Sequence, residues 1–205
     1  MSLLAGLKRS ALIVGMLCAH GQAAAQLENI TMGELALTPP YCMDVQAIPV
    51  TGWSKTSPSP RAAHWIALMG ESFWAMHHMC WALIGLHRAN LAGTSAHART
   101  YLISNAVSDF GFVLKNSPED FVLRPEVFYR RAKAEVLLGD YGAAIDDFSR
   151  SRKLKPDYWP SYVGEADVLI KAGQRREAQQ LLREGLKLLP DEPNLVAALK
   201  RANGK

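Results

Sequence analysis

The sequence predicts an all-α protein: a helical solenoid of about three helix pairs plus a capping helix, with an irregular N-terminal arm. Three observations support this class. The C-terminal half repeats a pattern without a gap, an apolar stretch upstream has helical spacing, and the segment before that stretch is rich in proline and turn-forming residues. Since about 180 residues remain after a predicted export signal, the chain is long enough for one domain with its own core.

Residues 1–25 are predicted to be a secretory signal peptide. Lys8 and Arg9 form a short basic start, an apolar run follows, and small residues in an Ala-x-Ala pattern place cleavage after Ala25. Cys18 is not expected to be a lipid anchor, because the residue before it, Leu17, is too bulky for that type of signal. It is therefore removed with the peptide. We therefore expect a periplasmic or secreted protein. Cleavage lowers the formal charge from +4 to about +2, which is too small to indicate a nucleic-acid partner.

Residues 26–63 are predicted to be an irregular arm that needs support from the rest of the chain. Cys42 and Cys80 are the two cysteines that remain after cleavage, and an even pair in an exported chain is a candidate disulfide. The bond would close a loop of 38 residues. Such a cross-link stabilises a fold by roughly 2–4 kcal/mol, so it would hold the arm in place.

Residues 125–158 and 159–192 align as two consecutive units of equal length. The matching pairs are Phe128 with Tyr162, Ala132 with Ala166, Gly139 with Gly173, Ala144 with Ala178, and Pro156 with Pro190. The aromatic residue and the first alanine are four apart, so they share one face of a first helix. The glycine suits the turn after that helix, the second alanine suits a close helix crossing, and the proline ends the second helix.

These units resemble the tetratricopeptide repeat family, and LGDYGAAIDDF is especially close to the family's turn and second helix. The resemblance implies a superhelix whose first helices line a concave groove for an extended peptide or a partner helix. Carried over by position, the groove residues are Tyr129, Lys133, Val136 and Leu137 from the first repeat, and Val163, Asp167, Ile170 and Lys171 from the second. Residues 193–205 are predicted to form the capping helix that a solenoid end requires.

Charged residues depart from the family's pattern at a few positions. Arg131 and Glu165 occupy places that are usually apolar, and Glu135 lies where an aromatic residue or leucine is common. We expect salt links there, or weaker packing. Asp146 and Asp147 are adjacent and point in different directions, which favours a solvated helix face over a catalytic carboxylate pair.

Residues 64–124 are predicted to be a helical region containing a degenerate repeat at about 71–118, because two repeats alone make a thin core. Counting back from Pro118, Phe110 falls where Phe148 does. In the helix before it, the residues proposed to imitate the repeat's aromatic, small and apolar positions are Trp74, His78 and Trp81.

The run SFWAMHHMCWALIGLH, residues 72–87, has three competing interpretations. A membrane span is disfavoured because ionisable residues lie in the middle of the apolar stretch. A metal site could start from His77 and Cys80, which are three apart, but zinc needs further ligands. Those would have to come from Cys42, His64 or His97. The favoured interpretation is a helix buried on more than one side, tied to the arm through its cysteine.

We therefore expect a non-catalytic interaction adaptor or scaffold in the bacterial cell envelope, with no cofactor, no metal and no stable membrane span in the mature chain. Its partners would be proteins of an envelope assembly. The alternative is a periplasmic redox or metal-handling protein that uses His77, Cys80 and Cys42. A third possibility, an envelope enzyme with a site within residues 40–100, has no phosphate loop or nucleophile elbow to support it.

Overall fold

The computed structural model describes residues 27–204, so the predicted signal peptide lies outside the described residues. Within this range the helices are α1 (Met32–Leu35), α2 (Ala62–Met69), α3 (Met76–Ala89), α4 (Ala96–Lys115), α5 (Arg124–Leu138), α6 (Tyr141–Leu154), α7 (Trp159–Lys171), α8 (Arg175–Leu188) and α9 (Pro193–Ala202). Two 3₁₀ helices cover Pro40–Met43 and Gly70–Ala75. No strand occurs between residues 27 and 204, and the predicted all-α class is confirmed.

The long helices form hairpins that stack in chain order. α3 packs against α4, α5 against α6, and α7 against α8, while α9 covers the last hairpin by contacting both α7 and α8. Contacts of α4 with α5 and of α6 with α7 join one hairpin to the next. Since α5 also contacts α7, and α7 contacts α9, the first helices of successive units form one layer of the solenoid.

The turn of each C-terminal hairpin uses the glycine that the repeat pattern identified. Gly139 has φ +82° and Gly173 has φ +80°, a conformation that a residue without Cβ adopts without steric strain. After the first turn, the carboxylate of Asp140 accepts a hydrogen bond from the backbone N–H of Ala143 at 3.1 Å. This cap satisfies a free donor in the first turn of α6 and fixes where that helix begins.

A close approach of α6 and α7 holds the two repeats together. Phe148 of α6 is fully buried, and a Cβ atom placed on Gly164 of α7 would come within 2.5 Å of its ring. The position 34 residues earlier holds Arg130, so this glycine is not part of the repeat pattern. Glycine is instead required at this position because the Phe148 ring packs directly against the backbone of α7.

The histidine-rich run is helical, but not as one continuous α-helix. Residues 70–75 form a 3₁₀ helix, so the α-helix begins at Met76 and leaves Trp74 outside it. α3 and α4 form a hairpin within residues 71–118, where the degenerate unit was expected. Every residue of α3 from 76 to 82 is buried, in agreement with a helix covered on more than one side.

The N-terminal arm, residues 27–61, packs on α3 with little regular structure of its own. Its buried apolar residues are Ile30, Leu35, Tyr41, Cys42, Val45 and Ile48, and they share one core cluster with α3. Burying a leucine, valine or isoleucine side chain stabilises a fold by roughly 1.5–3 kcal/mol. The guanidinium of Arg88 adds a link from α3 to the arm, since it donates to Glu34 at 2.9 Å and to the carbonyl oxygens of Glu28 and Asn29.

Across residues 27–204, none of the helices combines the length and the apolar character needed to cross a bilayer.

We predict that Gly164→Ala lowers the free energy of unfolding by about 1–3 kcal/mol, because the added methyl group overpacks the fully buried Phe148 ring. Gly142→Ala is the matched control, since a Cβ on this α6 glycine meets only the Asp140 carboxylate, at 3.9 Å. Alanine should raise stability there by about 0.5 kcal/mol. Urea denaturation of both variants measures the difference, and equal effects would contradict the close approach.

Candidate functional site

The eight predicted groove residues lie on α5 and α7, where the structure divides them into two groups. The exposed residues are Lys133, Leu137, Asp167 and Lys171. The half-buried residues, which pack against core clusters, are Tyr129, Val136, Val163 and Ile170. The exposed group is open to solvent, and the other four support the surface from below.

Tyr129 and Lys171 are held in place by aromatic neighbours. The Tyr129 ring lies 6.0 Å from that of Phe148 and 5.7 Å from that of Tyr158, measured between centroids. The Lys171 ammonium lies 4.8 Å from the ring centroid of Tyr141, close enough for a cation–π interaction. These contacts limit the orientations that both side chains can adopt at the surface.

The charges on this surface are mixed, with a small positive excess. The Asp167 carboxylate accepts a hydrogen bond from the guanidinium of Arg201 in α9 at 3.0 Å, so this acid is paired within the chain. Lys133 forms no ion pair with any residue in the described range, and the same holds for Lys171. The exposed part of the site therefore combines two available cations with the apolar Leu137, whose side chain is 55% exposed.

Two residues of this surface were missed by the sequence analysis. Glu126 and Arg130 form an ion pair at 2.7 Å one turn before Lys133. The spacing 126, 130, 133, 137 follows one helix face, so helical periodicity could have identified them. The pair between Asp167 and Arg201 joins two helices far apart in sequence, and no local spacing predicts it.

Hydrogen-bonded pairs that involve a buried aspartate define how α3 corresponds to α5. The imidazole of His78 lies 2.6 Å from the carboxylate of Asp109, and the guanidinium of Arg131 lies 2.6 Å from that of Asp147. Each aspartate directly precedes a fully buried phenylalanine of its second helix, Phe110 or Phe148. His78 therefore corresponds to Arg131, one residue away from the alignment expected from the sequence, which matched it to Ala132.

This correspondence shows that the arm covers one face of α3, and that the equivalent face of α5 is open to solvent. Two residues after His78 comes Cys80, which is fully buried and joined to Cys42 by a disulfide with Cα atoms 5.7 Å apart. Two residues after Arg131 comes Lys133, which is exposed. Burial raises the pKa of Tyr41, next to Cys42, and the charges of Glu126 and Arg130 also act on its hydroxyl group.

The candidate site is therefore bounded at both ends by the chain itself. Tyr41 of the arm, whose hydroxyl group feels the charges of Glu126 and Arg130 in α5, marks one end, and Arg201 of α9 marks the other. Between them lie the exposed groups of α5 and α7.

The charged departures from the repeat pattern form ion pairs, and one expectation about them is wrong. Arg131 donates to both carboxylate oxygens of Asp147, at 2.6 and 2.9 Å, and Arg152 of α6 donates to Glu165 of α7 at 2.7 Å. Asp147 was expected on a solvated face with Asp146, but it is buried, because it is the counter-ion of Arg131. Glu135 lies 3.7 Å from the same guanidinium.

The histidines and cysteines of α3 do not assemble a metal centre within residues 27–204. The ring Nδ1 of His77 donates to the carbonyl oxygen of Trp74 at 2.8 Å. Burial lowers the pKa of His77 to about 4, and the neighbouring His78 contributes to this shift. Cys80 is bonded to Cys42, while His64 packs on the ring of Trp65. The side chains of His77, Cys80, Cys42 and His64, proposed for the redox or metal alternative, are thus engaged in other contacts.

Residues 136–202 match the sequence model of the tetratricopeptide repeat family. The C-terminal repeats of this chain are similar to tetratricopeptide repeats. The match begins inside α5 and extends through α9, so it includes most of both predicted units and the closing helix. Tetratricopeptide repeats mediate protein–protein interaction, and this is the function that the family implies for the C-terminal half.

Several known proteins share this similarity over part of the chain. DnaJ homolog subfamily C member 3 of Rattus norvegicus is 28% identical over 90 residues, 44% of this chain and 17% of that protein. A protein STIP1 homolog of Dictyostelium discoideum is 28% identical over 99 residues, 48% and 17% of the two chains. The chain therefore spans less than a fifth of these relatives.

Among solved structures, the first tetratricopeptide repeat domain of Spaghetti (RPAP3), bound to the HSP90 peptide SRMEEVD, is 17% identical with a TM-score of 0.44. The match covers 60% of this chain and 94% of that one.

We predict that Glu135→Gln stabilises the protein at pH 8 but not at pH 4. Burial raises the pKa of Glu135 to about 7, with Asp147 adding to the shift, from an ordinary value of 4.5. A raised carboxyl pKa means that the folded state binds more protons between these values, so stability falls as pH rises from about 4.5 to 7. Glutamine removes that loss.

The melting temperature at pH 4, 6 and 8 measures this effect. The melting temperature of the variant should rise above that of wild type across the pH 4.5–7 window, and the difference should stay constant above it. Glu184→Gln, at an exposed position of α8, should shift stability by less than about 0.5 kcal/mol at each pH. A Glu135→Gln variant that is less stable than wild type at pH 8 would show that the carboxylate stabilises the fold.

Proposed function

We propose that this protein is a non-catalytic adaptor that binds a polypeptide segment of a partner on the exposed face of α5 and α7. The arm carries this proposal, because it is itself a polypeptide segment and covers the corresponding face of α3. It does so with buried apolar side chains such as Tyr41 and with the disulfide from Cys42 to Cys80. An apolar contact of this type is available to a partner one repeat further along.

The exposed groups indicate what such a segment would contain. Leu137 offers an apolar contact, while Lys133 and Lys171 offer positive charge with no acidic partner in the described part of the chain. A segment with an apolar anchor and nearby acidic residues complements this surface. Both an extended peptide and a helix can present side chains in this way.

The proposed setting is the bacterial cell envelope, after export. Two features support it: the signal-peptide pattern of residues 1–25, and the cysteine pair, since disulfides persist in oxidising compartments. An adaptor in this compartment would help to assemble or organise an envelope machine, such as a pilus, a secretion system or a polysaccharide-export system. The type of machine is proposed by analogy with the general role of such repeats.

We predict that Lys133→Glu combined with Leu137→Glu removes the partner when the tagged protein is captured from the envelope of its host. Both side chains are exposed, so the double variant should melt within a few degrees of wild type. Tyr129 and Ile170 are poor choices for this test, because they pack against core clusters and their replacement would disturb the fold. Quantitative mass spectrometry of the captured proteins gives the measurement.

Lys187→Glu combined with Leu188→Glu is the matched control for capture. These residues are a neighbouring cation and an exposed leucine on α8, outside the proposed site. We expect this control to retain the partner at wild-type level. A partner that is lost equally from both double variants, or kept by both, would place the binding surface elsewhere.

A second prediction separates the adaptor from the redox or metal-handling alternative. Protein isolated from the envelope should contain no free thiol and less than stoichiometric metal, because Cys42 and Cys80 are bonded to each other. Cys42→Ser/Cys80→Ser should lower the free energy of unfolding by roughly 2–4 kcal/mol, as expected for a lost cross-link. Two titratable thiols together with bound metal would favour the alternative.

A further inference from the structure

A second surface lies where α5 and α6 meet, apart from the residues proposed to bind a partner on α5 and α7. It is a cavity of about 320 Å³, here called the Phe128 pocket. Its lining residues are Glu119, Arg124, Phe128, Arg150, Lys153 and Leu154. The exposed residues among them form an open rim, so the pocket has room for one side chain or a small group.

The floor of the Phe128 pocket is an aromatic ring surrounded by guanidinium groups. The side chain of Phe128 is almost fully buried, with 5% exposure. The guanidinium carbon of Arg124 lies 5.5 Å from its ring centroid, that of Arg131 lies 5.6 Å away, and that of Arg150 lies 5.8 Å away. Three cations therefore converge on one ring, within the distance at which cation–π attraction acts.

Most of this positive charge has no counter-charge. Arg131 is neutralised by Asp147, but Arg124 donates to the carbonyl oxygens of Leu114 and Ser117, which carry no net charge. Arg150 and Lys153 form no ion pair with any of residues 27–204. Glu119 is the one acid among the lining residues, so cations outnumber it three to one. Like charges held this close repel each other, and a bound anion relieves that repulsion.

The repeat architecture does not require this charge. In the second repeat, 34 residues later, the position equivalent to Arg150 is occupied by Glu184. The positions equivalent to Lys153 and Leu154 keep the same residue types, Lys187 and Leu188. The second repeat folds with an acid at the position where the first has an arginine. The positive charge of the Phe128 pocket is therefore a property of this repeat and not of the fold.

We infer that the Phe128 pocket binds an acidic side chain from a partner protein, with its carboxylate among Arg124, Arg150 and Lys153. Guanidinium groups bind a carboxylate through paired N–H donors, which makes arginine suited to this task. Leu154, 44% exposed at the rim, offers an apolar contact to the residue next to that acid. A pocket for a metabolite encloses most of its ligand, whereas this open rim fits a side chain on a larger chain.

The test is an NMR titration of the whole protein with a library of capped pentapeptides that have glutamate at the centre and varied apolar flanks. A library with glutamine at the centre and inorganic phosphate are the comparison ligands. We expect the glutamate library to give saturable shifts of the backbone amides of residues 150–154. The glutamine library should bind at least fivefold more weakly, and phosphate should bind more weakly than the glutamate library.

Charge-reversal variants tie the result to the pocket. Arg150→Glu/Lys153→Glu should weaken binding of the glutamate library at least fivefold. Both side chains are exposed, so their replacement leaves the core intact. Lys187→Glu, at the equivalent place in the next repeat, should change affinity by less than twofold. Absence of saturable shifts, equal binding of the two libraries, or phosphate binding as tightly as the glutamate library would each overturn the proposal.

Discussion

The cover that the N-terminal arm places over α3 is the constraint on which the rest of the structure depends. α3 is buried on more than one side, which α4 alone could not achieve. The arm supplies the missing cover with apolar side chains, and the bond between Cys42 and Cys80 ties it to the middle of the helix. Because this face is occupied, the solenoid has a closed N-terminal end and the open surface begins at α5.

Polar pairs that each contain a buried carboxyl group then fix the register of one helix on the next. Separating such a pair leaves a buried carboxyl group without its hydrogen-bond partner, so a shift of one helix along another is disfavoured. The pairs are His78 with Asp109, Arg131 with Asp147, and Arg152 with Glu165. The first two join the helices of one hairpin, and the third joins one hairpin to the next.

Sequence reasoning reached the repeats because their signals are local. Gly139 and Gly173 mark turns that need a positive φ, and small residues mark close helix crossings, so the pattern can be found by eye. The burial of Asp147 was missed because its counter-ion is 16 residues away and on another helix. The one-residue change in the alignment of α3 was missed because a histidine replaces the arginine that defines the position. The contacts of the arm join residues that are far apart in sequence, so no periodic pattern in the sequence predicts them.

The central claim is that a partner polypeptide binds the open face of α5 and α7, which is equivalent to the face of α3 that the arm covers. A photo-crosslinking amino acid at position 137, introduced in the native host, tests this most directly, because it reports contact at one residue. The account predicts one discrete crosslinked protein from position 137 and none from position 188, which is similarly exposed on α8. The same crosslinked product from both positions, or none from position 137, would contradict the account.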